Sequence, residues 1–121
     1  MMKRMKKKMS GLNNSFYDSF QHQVGFQERV TGATCPGDHL EHFSYHIQAM
    51  VEELGEVMKA DKRWKTNRNK RYEPEEKLDE IADVFITAIN ISIHSGFSVN
   101  DIEQAISSKI KQNFERLNRC E

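Results

Sequence analysis

The segment EELGEVMKADKRWKTNRNKRYEPEEKLDEIAD, from Glu52 to Asp83, contains two acidic clusters set in apolar helical patterns. Glu53 and Glu56 are three residues apart, as are Glu80 and Asp83, and this spacing places side chains on one face of a helix. Four carboxylates held together repel one another and are costly to desolvate. A hard divalent cation such as Mg²⁺ relieves both effects because it takes oxygen ligands. The repeated pattern therefore predicts a metal site rather than ordinary solvated charge.

Length and charge define a single domain with a basic leader. The chain has 121 residues, enough for one core. Five of its 18 basic residues lie in the first ten positions, which leaves 13 basic and 18 acidic residues in the rest. An acidic body argues against a nucleic-acid polymer as partner, because such proteins carry positive charge on a folded face. We predict a disordered basic leader over residues 1–14 and one folded domain over residues 15–121.

The cysteines and the hydropathy pattern indicate the compartment. Cys35 and Cys120 show neither a metal-binding nor a redox spacing, so a reduced, cytoplasmic setting is expected. No apolar run reaches the roughly 18 residues of a membrane span, and the basic start lacks the apolar stretch of a signal peptide. No association with a membrane is expected.

Four helices are predicted, with no strand-like alternation. The first runs from Ser15 to about Val30 and is weakened by Gly25. The second has Asp38 as its N-cap, Glu41 at the capping-box position, and an end near Arg63. The third begins at Pro74 and ends before Gly96, and Ser98 with Asp101 opens the fourth in capping-box style. The predicted fold class is all-α, a four-helix bundle with short loops between antiparallel neighbours.

The apolar faces of the helices predict what each one buries. Helix three is apolar on nearly every side from Ile81 to Ile93, which is typical of a central helix or one in a subunit interface. We therefore expect at least a dimer, with helix three near the two-fold axis and the acidic site beside the interface. The predicted buried side of helix two consists of Phe43, Ile47, Met50, Val51, Leu54, Val57 and Met58. The apolar face of helix four consists of Ile102, Ala105, Ile106, Ile110, Phe114 and Leu117.

Helix four also carries a polar set, Lys109, Asn113 and Arg116, spaced by four and three residues and so on one face. On any helix taken alone, such residues are ordinary surface groups. Beside an acidic metal site they are instead candidates for binding phosphate, because a polyphosphate bound through Mg²⁺ needs cations and amide donors on its remaining oxygens.

These motifs together resemble a known family. Glu53-x-x-Glu56, a gap of 23 residues and Glu80-x-x-Asp83 are similar to the signature of the MazG-like, all-α nucleoside triphosphate pyrophosphohydrolases. The segment from Lys109 to Arg116 resembles that family's Lys-x₃-Asn-x₂-Arg motif. The resemblance covers about residues 43–117. It implies a MazG-like bundle that cleaves nucleoside triphosphates, often non-standard or deoxy ones, to a monophosphate and pyrophosphate.

The resemblance also implies roles for particular residues and a partner. Glu53, Glu56, Glu80 and Asp83 would hold Mg²⁺, for which Mn²⁺ is a possible substitute. Glu52 either orients the attacking water or is merely exposed. The candidate catalytic residues are Glu52, Glu53 and Glu56. Lys109, Asn113 and Arg116 would contact phosphates or sugar, and Trp64 would line the base pocket. The family forms homodimers or homotetramers that share sites between subunits.

Two other classes of protein are alternatives to this one. A di-iron carboxylate bundle also uses paired helical glutamates, but it requires Glu-x-x-His. Here the corresponding positions are Glu56 and Asp83, and His42, His46 and His94 lie off that pattern and are expected to be core or surface residues. A non-catalytic helical interaction module would have no reason to repeat the acidic pair.

Overall fold

The computed structural model describes residues 15–63 and 71–119, and within these ranges the chain forms four helices and no strand. They are α1 (Phe16–Thr31), α2 (Leu40–Asp61), α3 (Pro74–Ile93) and α4 (Val99–Arg119). The all-α prediction is thereby confirmed. The predicted leader over residues 1–14 and Trp64 lie outside the described residues. None of the described helices is both long enough and apolar enough to cross a membrane.

Local sequence accounts for most helix ends. Ser15 caps α1, because its hydroxyl accepts a hydrogen bond of 3.1 Å from the amide of Asp18. The reciprocal capping box at α4 is confirmed: the Ser98 amide donates to the Asp101 carboxylate at 3.0 Å, and the Asp101 amide donates to the Ser98 hydroxyl at 3.2 Å. Pro74 is the first residue of α3, as predicted.

The predicted N-cap at Asp38 is wrong. The structure makes His39 the N-cap of α2, with no side-chain hydrogen bond to the helix. Asp38 instead pairs in extended conformation with Ser95. The amides of Gly37 and His39 donate to the carbonyls of Ile93 and His94 at 3.0 and 2.8 Å. These tertiary hydrogen bonds fix the α1–α2 connection against the end of α3.

The core is small and lies where α1, the end of α3 and the start of α4 meet. Its buried residues are Phe20, Cys35, Ile89, Ile93 and Val99, with Val24 and Ile102 packed against them. Helix α2 packs along α3, whereas α1 contacts both α3 and α4. The α2–α3 hairpin therefore extends away from this core and carries both acidic pairs.

Two predicted apolar faces are not buried in the single chain. On α2, Val51 is 70% exposed, and Ile47, Leu54 and Met58 are also exposed. On α4, Ile106, Ile110, Phe114 and Leu117 are each about half exposed or more. The prediction that these α2 residues are buried is wrong for the single chain, because α2 packs chiefly along α3. The predicted apolar face of α4 is likewise exposed from Ile106 onward.

An open, apolar cleft of about 600 Å³ separates α3 from α4. Phe85, Ala88 and Ile89 contribute its α3 side, and Ile102, Ile106 and Ile110 its α4 side. Ile89 lies at the bottom and is itself only 7% exposed. The two helices thus diverge from a shared buried end.

Candidate metal centre

The α2–α3 hairpin brings three of the predicted acidic ligands together. Glu53 comes from α2, and Glu80 and Asp83 come from successive turns of α3. One carboxylate oxygen of each lies within 4.8 Å of the others. No cationic side chain among the described residues forms an ion pair with these three carboxylates. The arrangement presents hard oxygen donors from two helices at one point.

The electrostatics of this cluster are those of crowded like charges. Burial raises the pKa of Glu53, and the charges of Asp83, Glu80, Glu56 and Glu52 raise it further. The pKa of Glu80 is raised by burial first, and then by neighbouring charges led by Asp83 and Glu56. A cation at this point reverses the second effect because it replaces repulsion by attraction.

Glu56, the fourth predicted ligand, lies next to the cluster but is not part of the close group. Its carboxylate is 3.5 Å from the ammonium of Lys59. A pocket of about 260 Å³ opens beside it, lined by Glu56, Lys59, Ala60, Lys62, Glu76, Asp79 and Glu80. Glu52 is exposed on α2. A ligand in this pocket would meet both acidic and basic groups.

Ion pairs close the end of the hairpin next to this pocket. Asp61 accepts hydrogen bonds from Arg63 at 2.8 Å and from Lys77 at 2.6 Å. These two cations hold the pKa of Asp61 well below its usual range. The guanidinium of Arg63 also lies 3.8 Å from the ring centre of Tyr72. The network joins the end of α2 to the start of α3 and so supports the acidic cluster.

The predicted phosphate-binding residues lie elsewhere in the single chain. Lys109, Asn113 and Arg116 are exposed on the second half of α4. None of the three lines the pocket beside Glu80. Within the described part of one chain, therefore, the acidic group is assembled, and these α4 residues form neither part of the pocket beside Glu80 nor an ion pair with the acidic group.

A second cluster of side chains that can bind a metal ion lies at the opposite end of α3 and was not expected from the sequence. One donor atom each from Cys35, His39 and His94 lies within 4.8 Å of the other two. His94 is fully buried. The spacing of the two cysteines gives no sign of this grouping, because the fold brings in His94 from a distant part of the sequence.

Other imidazoles surround His94. The ring of His46 stacks on it with centroids 5.5 Å apart, and the centroid of His42 lies 5.0 Å away. Burial, followed by the charges of His42, His46 and His39, lowers the pKa of His94 to about 4. The imidazole of His94 is therefore neutral at pH 7, which is the form that binds metals.

Comparison of the chain with protein-family models, with curated proteins and with solved structures gave no significant match.

Proposed function

We propose that this protein is a Mg²⁺-dependent nucleoside triphosphate pyrophosphohydrolase that acts on ribo- or deoxynucleoside triphosphates, non-standard ones included. The products are a nucleoside monophosphate and pyrophosphate. The observation that carries the proposal is the convergence of Glu53, Glu80 and Asp83 from two helices within 4.8 Å. The spacing of the α4 motif supports it, and a cytoplasmic location belongs to the same proposal.

The donor set suits Mg²⁺. The ion prefers oxygen ligands, keeps several waters and is commonly held by a few carboxylates together with substrate phosphates. Glu53, Glu80 and Asp83 supply three such oxygens, and Glu56 stands close enough to raise the pKa of both glutamates. When bound, Mg²⁺ would neutralise charge on the phosphate oxygens.

The remaining roles belong to side chains of the hairpin and of α4. Glu52 or Glu53 would accept a hydrogen bond from the water that attacks one phosphoryl centre. Lys109, Asn113 and Arg116 would donate hydrogen bonds to the phosphate oxygens or the sugar. Because α4 packs mainly against α1, these donors would reach the acidic cluster of a second copy in a homodimer or homotetramer.

The test of this function is a panel of standard and modified nucleoside triphosphates with Mg²⁺, scored for pyrophosphate and monophosphate. We expect equal amounts of the two products, no activity in excess chelator, and recovery with Mg²⁺ or Mn²⁺. The matched control is the Glu80→Gln protein under the same conditions. Release of orthophosphate alone, or full activity in chelator, would contradict the proposal.

Replacing Lys109 or Arg116 by Ala should weaken nucleotide binding by about 1.5–3 kcal/mol, the scale of a hydrogen bond to a charged group. Binding of Mg²⁺ without nucleotide should be unchanged. The measurement is calorimetric titration with a non-hydrolysable triphosphate, and Lys111→Ala is the control because Lys111 lies on a different face of α4. Unaltered affinity in both test variants would remove α4 from the substrate site.

A non-catalytic helical interaction module is the second candidate. One observation favours it, the exposed apolar stripe of α4, which would suit another helix in a groove. If no nucleotide in the panel is hydrolysed and the assembly state is the same with and without Mg²⁺, an interaction module is favoured over a hydrolase.

A further inference from the structure

The geometry around Cys35, His39 and His94 points to a second metal site, and we propose that these residues bind Zn²⁺. The site lies at the end of α3 away from the acidic pairs, and it does not depend on the proposed hydrolase activity. Its donors are one thiol sulfur and two imidazole nitrogens, the set that Zn²⁺ takes in proteins and Mg²⁺ does not. With three protein ligands, one coordination position remains for solvent.

The buried imidazole supplies the main evidence. His94 is fully buried, and its Nδ1 has no hydrogen-bond partner among the described residues. Its other nitrogen, Nε2, lies 2.8 Å from Oε1 of Gln27. Since that oxygen can only accept, Nε2 carries the proton, and Nδ1 holds a lone pair within the protein interior. An unpaired buried acceptor is costly, and a metal ion satisfies it.

His39 is held in the same way. Its Nε2 lies 3.0 Å from the carbonyl oxygen of Thr34, which only accepts, so Nε2 carries the proton. Nδ1 is then unprotonated and can give its lone pair to a metal ion. Histidine ligands usually donate their second N–H to an oxygen of just this kind, which fixes the ring for the metal. Both imidazoles therefore already have the outer hydrogen bond that a zinc ligand needs.

The backbone around the cluster is fixed. The His39 amide donates to the carbonyl of His94 at 2.8 Å, which ties two ligands together. The Cys35 amide donates to the carboxylate of Glu28 at 3.0 Å, so a negative charge stands beside the thiol. Gly37 leaves room for the His39 ring, since a Cβ at Gly37 would collide with that ring and lie 2.8 Å from the Thr34 carbonyl oxygen.

Binding would exchange a proton for the metal. Burial and the charge of Glu28 raise the pKa of the Cys35 thiol, so at pH 7 the thiol is protonated. As the zinc–sulfur bond forms, the S–H bond breaks and one proton passes to solvent. The ion would then join the α1–α2 connection to the end of α3, two segments otherwise linked by backbone hydrogen bonds.

Co²⁺ is the sharpest probe, because a thiolate ligand gives it a charge-transfer band in the near ultraviolet. The full chain, stripped of metal by chelator, is titrated with Co²⁺ and then with Zn²⁺. We expect the band to appear at one equivalent and to vanish as Zn²⁺ displaces Co²⁺. Cys35→Ser should abolish the band, whereas Cys120→Ser and Glu80→Gln should retain it. A wild-type titration without the band, or a Cys35→Ser protein that keeps it, overturns the proposal.

The histidine ligands need a test that preserves the core. His94 is fully buried, so the half-buried His39 is replaced by Gln instead. We expect the affinity for Zn²⁺ to fall at least about tenfold, because losing even an outer-shell partner of a metal ligand costs about that much. His22→Gln is the control because His22 is exposed on α1. Equal Zn²⁺ affinity in the His39→Gln and wild-type proteins overturns the three-residue assignment.

Discussion

Replacing Glu80 by Gln is expected to reduce nucleotide hydrolysis by about 10²–10⁴-fold and, in the metal-free protein, to increase stability. The first effect follows because a ligand lost from the metal centre weakens charge stabilisation worth several kcal/mol. The second follows because Gln removes repulsion with Asp83 and Glu56. Like charges at helical spacing cost about 0.2–0.5 kcal/mol a pair, so the gain should be small but measurable by urea unfolding.

The gain in stability should depend on pH with a defined sign. Because the folded-state pKa of Glu80 is raised above its ordinary 4.5, the carboxyl destabilises the fold increasingly as pH rises from that value through the folded pKa. The difference between Glu80→Gln and wild type should therefore be largest at pH 7–8 and disappear near pH 4. Comparing the two proteins cancels the opposite contribution of His94, whose lowered pKa removes stability as pH falls from 6.5 to about 4.

Glu75→Gln is the matched control for both effects, because Glu75 is an exposed glutamate in the first turn of the same helix. Its activity should equal that of wild type. Glu53→Gln should behave like Glu80→Gln, since both pKa values are raised by the same cluster. Loss of helicity in the Glu53 and Glu80 variants would instead make these residues structural, and undiminished turnover would remove them from the chemistry.

The sequence was sufficient for features with local causes. Helix ends at Ser15, Pro74 and Ser98 follow from residues within three positions of the end. The acidic cluster was also predictable, because the Glu80–Asp83 spacing and the antiparallel hairpin together determine which carboxylates meet. Each of these inferences needs only helical periodicity and the nearest connection.

Features with non-local causes were missed. Asp38 is an acceptable N-cap by composition, but hydrogen bonds from Gly37 and His39 to the end of α3 hold this segment extended and make His39 the cap. The Cys35–His39–His94 grouping joins His94 to residues 59 and 55 positions earlier in the chain, and no spacing rule connects them. A buried histidine beside a buried cysteine becomes visible only once the path of the chain is known.

The exposed faces of α2 and α4 differ from these cases, because their apolar periodicity was predicted correctly. What the sequence does not show is that these faces stay exposed in the single chain. Ile106, Ile110, Phe114 and Leu117 form one stripe on α4, and each is at least 49% exposed. Monomers rarely expose so continuous an apolar surface. Symmetric self-association is the ordinary way to cover it, and a second copy also offers an apolar surface to the cleft between α3 and α4.

Ile110→Asp is therefore expected to convert an assembly of at least two chains into a 14.2 kDa monomer that remains folded. The fold should persist because Ile110 is already 51% exposed in the single chain, whereas an Asp at the buried Ile89 would unfold the protein and test nothing about assembly. Gln112→Asp, also exposed on α4, is the control with the same change in charge. Light scattering at micromolar concentration gives the mass, and a wild-type value of 14.2 kDa would contradict the assembly.

Mixing two impaired variants, assayed at a nucleotide concentration well below the dissociation constant so that weakened binding lowers the rate, tests whether the assembly shares its sites. If α4 of one copy completes the acidic cluster of another, Glu80→Gln combined with Arg116→Ala should regain activity, because a mixed dimer contains one site with both residues intact. Random exchange in a dimer should restore about a quarter of the wild-type rate, since half of the dimers are mixed and each has one intact site. The control is the same mixture with Ile110→Asp added to both chains, whose activity should stay as low as that of the separate variants. No recovery from variants that demonstrably exchange subunits would place each complete site within one chain.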